Sequence, residues 1–135
     1  MTTIDVIGSV PRFPKREIAA FARRVLRVLK VDAEDLAIAF VDDESMRKMN
    51  KTFRGKNKTT DVLTFPGDQT SRLGDIMISI DQARRQAVDE KHSLATEVRY
   101  LVLHGILHAL GYDHETDHGE MNALELRVRA RVGLH

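Results

Sequence analysis

Three histidines stand in the run His104-Gly-Ile-Leu-His108-Ala-Leu-Gly111-Tyr-Asp-His114. On a helix, residues four apart project from the same face one turn apart, so the imidazoles of His104 and His108 can reach one ion. Gly111 follows three residues later and can adopt a left-handed conformation that turns the chain. His114, three residues further on, can then swing back to the same point. Neutral imidazole suits zinc, and also nickel, cobalt or copper. Three protein ligands leave a fourth position for water, the pattern of catalytic rather than structural zinc. Water on such a metal ionises near neutral pH and becomes a nucleophile. Asp117 and His118 lie close enough in the chain to fill the fourth position and make the site structural. His92 and His135 read as ordinary surface residues.

The spacing is also that of the metzincin peptidases, H-E-x-x-H-x-x-G-x-x-H, with one departure. Their general-base glutamate would stand at Gly105. Glycine neither takes a proton from water nor gives one to a leaving amine. Asp113 or Glu115 could substitute, but nothing in the sequence positions them.

A second signal is basic. Arg47, Lys48, Lys51, Arg54, Lys56 and Lys58 place six cations in twelve residues without an acid among them. The formal net charge of the chain is only +1, so this is a local patch. Phosphate backbones are its natural partner, and a guanidinium can stabilise charge developing on a phosphate during transfer. The competing reading is a solvated loop.

These residues need a scaffold, and the apolar pattern supplies one. Pro14 suits a helix start, and Ile18, Phe21, Ala22, Val25, Leu26 and Leu29 recur at helical spacing. Leu36 to Val41 is a wholly apolar run, expected as a strand buried on both faces. Asp42 and Asp43 can cap the next helix, with Met46, Met49 and Phe53 on its core face. A turn-rich loop carries the lysines. Strands are expected over Asp61 to Phe65 and Gly74 to Ile80, antiparallel to each other, and Asp81 is expected to cap a short helix ending at Lys91. Leu94 to Leu110 is apolar nearly all round, as in a buried central helix. Met121, Leu124, Val128 and Val132 mark a final helix. The expected fold is α+β: a small mixed sheet packed with about five helices, the buried central one carrying the metal ligands.

Bulk properties narrow the class. A chain of 135 residues fits one domain, 1–135, with its own core. With 42% hydrophobic and 30% charged residues, neither disorder nor a fibrous repeat is expected. There is no cysteine, so disulfides, thiolate metal sites and cysteine nucleophiles are excluded. The N-terminal residues lack the pattern of a signal peptide, and no apolar run approaches the ~20 residues that span a bilayer. A cytoplasmic protein is expected.

Three blocks together resemble the YbeY family of bacterial endoribonucleases and rRNA maturation factors. They are Asn50-Lys-Thr-Phe-Arg54-Gly-Lys-Asn-Lys-Thr-Thr-Asp61-Val-Leu-Thr-Phe-Pro66, Gly74-Asp75-Ile-Met-Ile-Ser79, and the histidine block with Gly-Tyr-Asp-His. The likeness covers roughly residues 36 to 130, and the histidine block is its most specific part. It implies a single α+β domain with one zinc ion on His104, His108 and His114. It also implies single-strand-specific RNA cleavage, with a role in 16S rRNA 3′-end maturation and ribosome quality control. The family's functional arginine falls on Arg54, and Gly105 is itself a family residue. With the basic segment, this gives Lys48, Lys51, Lys56 and Lys58 as RNA contacts, and the ribosome or its proteins as further partners. Neither DNA nor a membrane is expected as a partner. The rivals are a ribosome-associated binding factor with a structural metal, and a metallopeptidase lacking its glutamate.

Overall fold

A computed structural model describes residues 2–68, 71–113 and 115–134. Its elements run β1 (Thr3–Ile7), α1 (Lys15–Leu29), β2 (Asp35–Val41), α2 (Asp43–Arg54), β3 (Val62–Pro66), β4 (Arg72–Ser79), α3 (Ile80–Glu90), α4 (Leu94–Ala109) and α5 (Glu120–Val132). The strands form one sheet in the order β1-β2-β4-β3. β1, β2 and β4 are parallel, and β3 is antiparallel to β4. The described residues thus form an α+β fold with a mixed sheet and five helices. No described helix is long and apolar enough to cross a membrane.

α4 is the axis of the fold. Val98, Leu101, Val102, Leu103, Ile106, Leu107 and Ala109 are buried on it, and each large aliphatic side chain contributes roughly 1.5–3 kcal/mol by leaving water. The helix lies across β3 and β4, with α3 and α5 against it and α1 against β1 and α5. Ser93 caps its N-terminus by accepting from the Thr96 N–H at 3.1 Å. His104 and His108 interrupt the buried pattern and are half-buried.

Several expectations are corrected. β1 gave no clear sequence signal, because it is a five-residue edge strand with only Ile4 and Val6 turned inward. β2 alternates: Leu36, Ile38 and Phe40 are buried, while Ala37, Ala39 and Val41 are half-covered. Its second face meets an apolar groove walled by Met49 and Phe53 of α2. Met46 is fully buried, but Phe53 is 59% exposed at the rim, edge-on to Phe65. Asp42 caps α2 as expected, accepting from the Ser45 N–H at 2.8 Å. Ser79, not Asp81, caps α3. The Asp81 carboxylate accepts instead from the Asp43 N–H at 2.9 Å, tying α3 to the start of α2.

Candidate active site

The two helical histidines meet at the C-terminal end of α4. Their Nε2 atoms are 3.0 Å apart, with ring planes at 74°. The Nδ1 of His104 lies 3.2 Å from Oε1 of Glu125 on α5. An ionised carboxylate only accepts, so this contact favours the tautomer with the proton on Nδ1 and the Nε2 lone pair toward His108. Gly111, at φ 99°, ends the helix and donates its N–H to His108 O at 2.9 Å. His114, the third expected ligand, lies outside the described residues, as does His135. Among the described residues, no cluster of three or more His, Asp or Glu side chains could hold a metal ion.

The spacing of the His104–His108 pair is compatible with two ligands of one ion. Two ligand nitrogens about 2.0–2.1 Å from a tetrahedral ion stand roughly 3.3 Å apart, close to the spacing observed. A carboxylate behind the far ring nitrogen is the usual support of a ligating histidine. The Asp117 carboxylate accepts from the Gly119 and Met121 N–H groups, both at 2.9 Å, and so braces the start of α5. His118 is exposed.

Gly105 faces the sheet. A Cβ there would sit 2.6 Å from Ile76 Cγ2, with two more Ile76 atoms within 3.2 Å. The Gly105 carbonyl accepts from the Thr64 hydroxyl at 3.4 Å. The position where a peptidase carries its glutamate is here a packing contact between α4 and β4, with no room for a side chain.

Arg54 is the last residue of α2, and it lines the same cleft as His104 and His108, a cavity of about 470 Å³. Asp61, Asp113 and Glu115 line that cleft as well. Asp113 Oδ1 accepts from the Glu115 N–H at 3.0 Å. The two carboxylates that the sequence could not position are thus at the cleft, joined by Asp61 from the start of β3.

The loop between Arg54 and Asp61 is built rather than loose. Asn50 is 1% exposed and donates from Nδ2 to the Lys58 carbonyl at 2.9 Å. The Asp43 carboxylate accepts from Thr59 Oγ1 at 3.1 Å, Ser79 Oγ at 2.8 Å and Arg85 Nη2 at 2.8 Å. Burial works against its charge, yet these hydrogen bonds win and hold its pKa below the ordinary value. Arg47 leaves the basic set: it pairs with Glu44, one turn earlier, and with Asn57. Lys48, Lys51, Lys56 and Lys58 are exposed around the loop.

The sequence assigns no role to Glu125 or Asn50, and to Asp43 only that of a helix-cap candidate. A signal for Asn50 existed, an amide one turn after Met46 on the apolar face. Glu125 had none, because α5 is brought to His104 only by tertiary packing. His92 is also corrected: it is half-buried, with Nε2 2.7 Å from Oε1 of the buried Glu97.

A sequence model of the family described as "Endoribonuclease YbeY" matches residues 8–133. A relative of that name from Nautilia profundicola is 47% identical over 103 residues, covering 75% of this chain and 74% of its own. Another, from Solibacter usitatus, is 43% identical over 117 residues, covering 87% and 78%. The solution structure of a Thermotoga maritima protein superposes with a TM-score of 0.66 at 24% identity, covering 96% of this chain and 89% of that one. That likeness shows the fold alone.

Proposed function

The chain belongs to the endoribonuclease YbeY family, and on that premise we propose that residues 1–135 form one metal-dependent, single-strand-specific endoribonuclease domain. Its proposed task is 16S rRNA 3′-end maturation and ribosome quality control in the cytoplasm, with the ribosome or its proteins as further partners. The observation that carries this reading is the single cleft lined by Arg54, His104 and His108.

His104, His108 and His114 would hold the ion, with zinc favoured and other divalent transition metals admissible. When bound, it would supply Lewis acidity toward a phosphoryl oxygen. The chain's own residues do the rest. Arg54 neutralises charge on the phosphate oxygens, and its guanidinium can do so with two parallel hydrogen bonds. Glu125 keeps His104 in one tautomer and one orientation. A carboxylate of Asp61, Asp113 or Glu115 accepts the proton of the attacking oxygen, that of a water or of the RNA 2′-hydroxyl, as it bonds to phosphorus; the scissile P–O bond breaks and the leaving ribose oxygen takes up a proton. Lys48, Lys51, Lys56 and Lys58 hold the strand by its backbone.

One observation weighs against a rival. The contact of Gly105 with Ile76 disfavours the peptidase. Cleavage of a labelled single-stranded RNA tests the role of Arg54. Arg54→Glu is expected to lose cleavage while keeping its metal; wild-type activity in that variant would remove Arg54 from the mechanism.

A further inference from the structure

Six arginines of this protein are held in two different ways. Arg47, Arg72 and Arg85 each pair with a carboxylate, on Glu44, Asp35 and Asp43 respectively. The group on the α1/α4/α5 face is held differently. Arg24 donates to the Val132 carbonyl at 2.8 Å. The Arg99 guanidinium carbon lies 4.5 Å from the centroid of the Phe13 ring. Arg129 stacks 4.7 Å over Tyr100 and donates to its hydroxyl at 3.3 Å. Among the described residues, none of these three has a carboxylate within 4.0 Å. Among the described residues, the contacts that orient them are to neutral groups.

Arg24 and Arg99 converge on a cavity of about 550 Å³, walled also by Thr96, His92, Tyr100 and Glu17. The helical segments that wall it are basic in sequence, although Glu17 also lines the cavity. Residues 15–30 carry six cations against one acid, and residues 127–132 carry three arginines and no acid. On a chain of net charge +1, this makes a second positive field, separate from the loop after Arg54. Exposed Arg27 and Arg131 extend it along two helices, a shape suited to a polyanion rather than a single small anion.

We propose that this face is a second RNA-binding surface, which grips the phosphodiester backbone of the substrate outside the stretch that enters the cleft. Arg99 and His108 are nine residues apart on α4, about 14 Å along the helix axis. One rigid element therefore fixes the offset between the anchoring site and the cleft. The inference rests on the reading that RNA is the substrate.

The test measures binding of a labelled single-stranded RNA, long enough to span both sites, by the full chain in chelator, so that no cleavage is needed. Arg24→Gln/Arg99→Gln is compared with wild type over a range of salt. Each lost phosphate contact removes about 0.7 from the slope of log affinity against log salt for single strands. The double variant is expected to bind on the order of tenfold more weakly, with a slope smaller by about 1.4. Arg24→Lys/Arg99→Lys is expected to restore the slope. Because Arg99 also packs on Phe13, Arg27→Gln/Arg131→Gln serves as a second variant at exposed positions, and it too should lower the slope. A wild-type slope in both glutamine pairs, or a lysine pair as weak as the first glutamine pair, would overturn the proposal. Failure of the wild type to cut RNA would instead overturn the nuclease reading and leave this binding result standing.

Discussion

The His104 imidazole is held at both nitrogens, with Nδ1 3.2 Å from Glu125 Oε1 on α5 and Nε2 3.0 Å from His108. A carboxylate in that position fixes the tautomer and raises the basicity of a ligating ring. Its loss typically weakens metal binding by about 10–100-fold. Glu125→Ala is therefore expected to lower metal affinity by that order, measured by competition with a chromophoric chelator. Unchanged affinity would make Glu125 a bystander.

Gly105 is expected to resist substitution. Alanine favours a helix by up to about 1 kcal/mol, but its Cβ would meet Ile76 at 2.6 Å, and overpacking of this kind costs about 1–3 kcal/mol. Gly105→Ala should thus be net destabilising in urea unfolding. In an Ile76→Ala background the same change should cost less, because the colliding atoms are gone. Equal costs in the two backgrounds would mean that the clash is not the cause.

Asp43 ties the loop after Arg54 to α2 and α3, and its folded pKa is depressed. Below the unfolded value of about 3.9, the unfolded chain binds the proton more readily than the folded one. The stabilisation is therefore fully present above that value and disappears as pH falls through the folded pKa. Asp43→Asn should be less stable than wild type near neutrality, and the gap should hold down to about pH 5 and narrow as pH falls below about 4. A gap independent of pH would contradict the assignment.

What the sequence made legible follows from periodicity and spacing. The apolar circuit of α4, the i, i+4 histidines and the stripe of α1 each lie within one element, where the repeat of a helix governs. Antiparallel β3 and β4 were legible for the same local reason. The half-covered second face of β2 was not, because its alanines are apolar whether covered or not. Phe53 misled because a helical stripe runs past the edge of the sheet it packs on. Glu125 and Asn50 act across long sequence separations, or through a backbone carbonyl that could be any residue's. The steric role of Gly105 required Ile76 to be placed beside it. At that residue the missing glutamate, visible as an absence in the sequence, acquires a physical cause.

Metal content and RNA cleavage, measured together on wild type and His108→Ala, test the central claim most directly. One divalent metal ion per wild-type chain and cleavage of a labelled single-stranded RNA are expected, with both lost in His108→Ala. A wild-type protein that holds its metal but leaves the RNA intact, or a His108→Ala variant that cleaves like wild type, would contradict it.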